Sequence, residues 1–257
     1  MNTLEAVPGL IGVLGGMGPL ATVDFMQKLI AATALANHAV KDQDHVPVIV
    51  TSIPQIPDRV AAFRGQGISP LAAMVSSGQR LIQAGAGLIV VPCNTAHHWF
   101  SQLQAALQAP MLHLVDAALD DAAAVNGAAV GLLCTDATLA SGLYLNRAAQ
   151  NKKYAHIQWV VPTASEMLTL VMPGIQAVKL GQLGRASKLL NAAAQALVGR
   201  GAGRLMLGCT EIPLVLHSVA TQTQMPTQVG VPIIDATASL ARRAVAWSLA
   251  QRGLALT

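Results

Sequence analysis

Two cysteines stand in matching contexts, Pro92-Cys93-Asn94-Thr95 and Gly208-Cys209-Thr210-Glu211. Each follows a short apolar run and precedes a helical pattern. That puts each at the C-terminal end of a strand, where open α/β sheets hold their ligands. A helix N-terminus favours thiolate over thiol, and an unperturbed thiol, with a pKa of ~8.5, is only slightly ionised at neutral pH. Two thiols on one cleft are what a two-base proton transfer requires. A thiolate removes a proton from one face of a carbon and a thiol returns one to the other face. The sulfurs then titrate as a coupled pair. Asn94, Thr95, Thr210 and Glu211 place amide, hydroxyl and carboxylate groups beside them. Glu211 either caps its helix or orients Cys209.

The elements that carry these thiols repeat along the chain. Val130-Gly131-Leu132-Leu133-Cys134-Thr135 echoes Ile11-Gly12-Val13-Leu14-Gly15-Gly16 at an offset of 119. The runs ending in Cys93 and Cys209 are 116 apart, and Asp116 and Asp235 close similar segments at 119. Three landmarks at nearly one offset imply a duplicated half, each half carrying one thiol. Apolar runs near 10–14, 47–51, 87–91, 111–114, 129–133, 157–160, 203–207 and 231–234 read as buried parallel strands. Helical patterns fall near 19–36, 69–84, 95–108, 116–126, 139–150, 164–178, 181–199, 211–219 and 236–251. This alternation predicts an α/β chain with parallel sheets covered on both faces.

Composition narrows the functional classes. The 257 residues are 53% hydrophobic and 11% charged, much of the excess being alanine, which favours helix rather than membrane. The charge-free run over 81–112 is broken by Gly85, Gly87, Pro92, Asn94 and two histidines, so no spanning helix of ~20 apolar residues is expected. Residues 1–5 lack the basic region of a signal peptide, and a cytoplasmic location is expected. The net charge of +4 is scattered and aromatics are 3%, which argues against nucleic acid. Three cysteines without paired spacing predict reduced thiols.

Other motifs have plainer readings. The loop Gly12-Val13-Leu14-Gly15-Gly16-Met17-Gly18-Pro19 lacks dinucleotide spacing, and the next strand ends Val50-Thr51-Ser52 without a ribose-binding acid. It reads as a tight turn or as an anion cradle at a helix start. Cys134, inside a strand, reads as a small core hydrophobe. His97 and His98 with Cys93 lack a second ligand pair for zinc and read as packing or local hydrogen bonding. Asp116 and Asp235 read as helix N-caps.

The chain resembles the cofactor-independent, two-cysteine aspartate/glutamate racemase family, and is most similar to its aspartate branch. The resemblance rests on Leu14-Gly15-Gly16-Met17-Gly18-Pro19-Leu20-Ala21-Thr22, Gln55-Ile56-Pro57-Asp58-Arg59, Pro92-Cys93-Asn94-Thr95-Ala96-His97 and Gly208-Cys209-Thr210-Glu211. It implies two pseudo-symmetric lobes, each a parallel-sheet α/β sandwich, with the active site in the cleft between them. Residues 1–114 plus 235–257 would form the first lobe, with a returning C-terminal helix, and 115–234 the second. Cys93 and Cys209 would be the acid/base pair of an isomerase that needs neither pyridoxal phosphate nor metal. Arg59 and Lys179 would hold a side-chain carboxylate. Without a cofactor to absorb charge, donors must stabilise the carbanion through its α-carboxylate. Asn94, Thr95 and Thr210 are the candidates, with Met17 and Gly18 lining the site, Glu211 beside it and Thr135 and Thr138 as further contacts. The implied partner is a small acidic amino acid, aspartate before glutamate, and the implied assembly a homodimer.

Two departures bear on substrate choice. Cys134-Thr135-Asp136-Ala137-Thr138 carries Ala137 and Asp136 where the family often has Ala-Thr-x-Gly-Thr, and Pro173 interrupts the helix leading to Lys179. Glutamate or broad-specificity racemisation, hydantoin racemisation, maleate isomerisation and arylmalonate decarboxylation remain alternatives. Decarboxylation needs one proton donor, so two retained cysteines argue against it. From another class, a non-catalytic binder of acidic amino acids also remains open.

Overall fold

Short Val-, Ile- and Leu-rich runs bounded by Gly and Pro pair in parallel, the inner ones buried on both faces and the outer ones half-buried, in the computed structural model, which describes residues 7–37, 39, 41–124, 127–216 and 229–254. The first half holds β1 (Ile11–Gly15), α1 (Pro19–Asn37), β2 (Val48–Ser52), α2 (Arg59–Phe63), α3 (Leu71–Gln83), β3 (Leu88–Val90) and α4 (Phe100–Leu107). After α5 (Leu114–Ala123), the second half opens with β4 (Ala129–Cys134), α6 (Asp136–Ala140), α7 (Leu145–Ala149) and β5 (Trp159–Val160). It continues through α8 (Ala164–Glu166), α9 (Met172–Lys179), α10 (Leu183–Gly199), β6 (Ala202–Gly208), α11 (Pro213–Leu216) and β7 (Ile233–Asp235), and α12 (Ala236–Gln251) follows.

The duplication is visible in the sheets. Strand order is β2-β1-β3 in one and β5-β4-β6-β7 in the other. A parallel bridge from Ile89 to Met111 stands where β7 pairs with β6 in the second sheet. The backbone repeats the detail: Ile89 N–H donates to the Pro110 carbonyl at 2.9 Å, and Leu205 N–H to the Pro232 carbonyl at 3.0 Å. The two-lobed α/β fold is the one expected. The predicted strand over 111–114 shortens to that bridge, because His113 already caps α5 at Leu114. The predicted helix over 139–150 splits into α6 and α7 at Gly142, whose φ of +67° breaks it. Of the helix expected over 211–219, residues 217–219 lie outside the described residues, as does the 1–5 segment.

Three apolar clusters form the core. One, with Leu14, Ile89 and Leu103, lies under the outer helices of the first sheet. Its counterpart, with Leu133, Leu190 and Leu207, serves the second. The third draws Val13, Leu119, Leu132 and Leu240 together, so α5, α12 and both sheets share one centre. α12 packs on α1 and α5, its N-cap Asp235 accepting from Thr237 and Ala238 and pairing with Lys28 of α1. Asp116 is not a cap; it pairs with Arg147 of α7.

Pro173 does not end the helix that carries Lys179. A proline lacks the N–H of the α-ladder and clashes with the carbonyl four residues back. Here a π-helical turn over Met167–Val171 joins α8 to α9, with Met172 N–H reaching the Met167 carbonyl. The wider turn makes room for the ring, and α9 runs on to Lys179.

Candidate active site

β3 delivers Cys93 into a loop fixed on both sides. The neutral ring of His97 donates from Nδ1 to the Cys93 carbonyl at 2.8 Å, while Leu114 N–H donates to its Nε2 at 3.1 Å. Burial lowers the His97 pKa to about 4, so the ring keeps this single role at neutral pH. Residues of the second half clamp the next two positions. Tyr144 donates its hydroxyl to Asn94 Oδ1 at 2.5 Å, and Thr95 Oγ1 lies 3.1 Å from Thr135 Oγ1 and 2.9 Å from Thr138 Oγ1. The Asn94 side-chain nitrogen is buried without a partner. A buried donor left unpaired is costly, and an acceptor brought by a ligand would satisfy it.

β6 delivers Cys209 in the same way, but its neighbours differ. Gly208 sits in a tight space there: an added Cβ would lie 3.0 Å from the Cys134 Cβ and 3.1 Å from the Tyr144 ring. Cys209 Sγ donates to Glu211 Oε2 at 3.0 Å, and Thr210 donates to the same oxygen at 3.2 Å. Glu211 therefore orients the thiol; α11 begins beyond it at Pro213.

The two sulfurs border one cavity of about 20 Å³, room for about one water, together with Met17, Asn94, Thr95, Thr135 and Thr210. Asp58, Arg59, Lys179 and Glu211 border both this cavity and an outer chamber of about 410 Å³. Gly18 lines the outer chamber rather than the inner one. Thr138 lines neither and acts behind the wall, holding Thr95. The turn at Gly16 needs glycine: its φ is +90°, and an added Cβ would lie 2.3 Å from the Ile53 nitrogen. Thr22 Oγ1 accepts from Gly16 N–H at 2.8 Å and donates to the Gly18 carbonyl at 2.9 Å, which sets Met17 against the cavity.

Burial pushes both thiols up, and their charged neighbours then act unequally. For Cys93, Arg59 pulls the pKa back and Glu211 pushes it up, with a smaller downward pull from Lys179. For Cys209, Glu211 pushes further up, by its charge and by accepting the S–H, and Lys179 pulls down more weakly. Cys134 is fully buried in the strand and only raised by burial, as a core residue. Among the described residues no group of three or more His, Cys, Asp or Glu is arranged to hold a metal.

The sequence reading missed several groups. Asp58 lies in the motif that singled out Arg59; it caps α2 by accepting from Ala61 N–H at 2.8 Å instead of pairing with Arg59. Arg59 Nη1 donates to the Ile56 and Pro57 carbonyls, each at 3.0 Å. Tyr144 carried no sequence signal, because its role depends on the two halves meeting. Ala137 sits buried in α6 behind the Thr135 cap, so the expected glycine is not needed, and Asp136 pairs with Arg64 of the first half.

The Asp/Glu/Hydantoin racemase family matches residues 14–244. The aspartate racemase of Picrophilus torridus superposes with a TM-score of 0.77 at 28% identity, over 96% of each chain. The broad specificity amino-acid racemase RacX of Bacillus subtilis (strain 168) is 26% identical over 244 residues, 94% of this chain and 99% of its own. A glutamate racemase of Ectopseudomonas mendocina (strain ymp) is 26% identical over 95% of this chain and 82% of its own. With two matched half-sheets presenting two thiols to one cavity, the chain belongs to the Asp/Glu/Hydantoin racemase family and is an isomerase, an amino-acid racemase.

Proposed function

We propose that this racemase interconverts the enantiomers of an acidic amino acid, aspartate before glutamate, without a cofactor, using Cys93 and Cys209 as its two bases. The observation that carries the reading is that the cavity shared by the two sulfurs is also bordered by the cations Arg59 and Lys179. The unpartnered amide of Asn94 supplies a donor for the α-carboxylate. A thiolate takes the α-proton, the pair of electrons delocalises into the carboxylate held by Asn94, Thr95 and Thr210, and the opposite thiol protonates the other face. The cycle leaves the thiols exchanged and the atoms balanced. The inner cavity is smaller than an amino acid, so on this reading its walls must shift to admit one.

The same reading divides the chain into 1–114 plus 235–257 and 115–234, which the packing of α12 on α1 supports. It includes a cytoplasmic homodimer; Leu20, Val23 and Ile30 form an exposed apolar stripe along α1. No helix among the described residues is long and apolar enough to cross a membrane. The full-length match to a broad specificity racemase favours a second reading with wider substrate range.

Chiral chromatography of L- and D-aspartate and L- and D-glutamate, with metal-stripped protein and no pyridoxal phosphate, tests the reading. Racemisation of aspartate, undiminished by EDTA, is the expected result. Saturable aspartate binding without turnover would mark a binder instead, and inhibition by chelator would overturn the metal-free mechanism.

A further inference from the structure

We infer that the outer chamber is a side-chain pocket, and that the enzyme also racemises free amino acids with unbranched, uncharged side chains of four or more heavy atoms. The inference rests on the proposed reaction between Cys93 and Cys209. On that reading an aspartate whose carboxylate meets Arg59 and Lys179 reaches the neck, the residues that border both spaces, and the apolar walls of the outer chamber of about 410 Å³ lie beyond it. Beyond the neck the walls are Leu20, Ile56, Val178 and Leu214, drawn from both halves. Such an apolar space, opening from the reacting centre, is suited to an aliphatic chain.

The neck lets an uncharged chain pass. It carries two cations, Arg59 and Lys179, and two carboxylates, Asp58 and Glu211, so its formal charges cancel. Three of these groups have partners of their own. Arg59 is held by the Ile56 and Pro57 carbonyls, Asp58 by Ala61 N–H, and Glu211 by Cys209 and Thr210. An aliphatic chain crossing between them therefore leaves the protein partners of these three charges in place. Each methylene seated among the leucine and isoleucine walls contributes about 10-fold or more to kcat/KM.

The experiment compares α-proton exchange in D2O for L-norleucine and L-aspartate, by NMR, in the wild type and in Leu20→Trp, whose indole would fill the chamber from the half-exposed first turn of α1. Leu214→Trp, from the opposite wall, is the second variant, and circular dichroism verifies that each folds. The wild type is expected to exchange norleucine, and each tryptophan to lower the norleucine-to-aspartate ratio of kcat/KM by about 10-fold or more. Exchange of aspartate alone would overturn the inference and leave the racemase reading standing. Exchange of both with a ratio unmoved by either variant would make the chamber an entrance and overturn it too. Silence on both substrates would overturn the racemase reading and this inference with it.

Discussion

The Cys93 and Cys209 ends of the molecule are built on one plan and finished differently. Both thiols follow a parallel strand, and both strands donate the same hydrogen bond to a prolyl carbonyl. The symmetry accounts for where the sulfurs are. Their surroundings account for how they differ: Arg59 acts on Cys93, whereas Glu211 accepts a hydrogen bond from the Cys209 thiol. On the proposed mechanism duplication supplies the two bases, and local substitution makes one the easier thiolate and the other the firmer thiol. A racemase needs both forms at once.

Removing either thiol should have the largest effect. Cys93→Ala and Cys209→Ala are each expected to lower racemisation by about 10³-fold, measured by chiral chromatography, because neither half can serve both faces. Equal retention of activity in one variant would break the comparison.

Charge changes should sharpen it. Glu211→Gln removes the negative charge that raises both thiols, so the rise of activity with pH should move to lower pH. Arg59→Gln removes the main charge holding Cys93 down, so alkylation of Cys93 in the free enzyme should require higher pH, with Cys209 less affected. Each unit of displacement is tenfold in thiolate at a fixed pH below the pKa, about 1.4 kcal/mol. Mass spectrometry of the two alkylated peptides reads both sites in one sample.

Among the described residues the histidines behind Cys93 have no counterpart behind Cys209, and they should make the fold acid-sensitive. Burial holds His97 at about 4 and His113 at about 2, below the ordinary 6.5. Between those values the unfolded chain binds protons that the folded chain does not. Stability therefore falls as pH drops below 6.5, through about 4 for His97 and on towards 2 for His113. Thermal melts across that range should show the slope, and His97→Gln should flatten its upper part.

The smallest effect is expected at the rim. Arg64 and Asp136 pair across the two halves but are partly exposed, so Asp136→Asn should cost at most about 1 kcal/mol in a denaturant melt and change KM more than kcat.

Most of this frame was legible in the sequence because burial and repetition leave local marks. Apolar runs before Cys93 and Cys209 identified the strands, and the offsets of 116 and 119 identified the halves. The pairing of Glu211 with Cys209 was legible as one of two options, since a residue two positions from a thiol can turn either way. The contacts that cross the cleft were not legible: Tyr144 on Asn94 and Thr138 on Thr95 are 50 and 43 residues apart. The π-helical turn was hidden for another reason. A proline at 173 signals a break, and only packing decides whether the chain bends or widens by one residue.

The most direct test of the two-thiol account is the position of deuterium early in the reaction of L-aspartate in D2O. Two bases on opposite faces predict that D-aspartate forms carrying solvent deuterium while the remaining L-aspartate stays protiated. Deuterium appearing in the recovered L-aspartate as fast as in the product would mean that one group serves both faces, and would contradict the account.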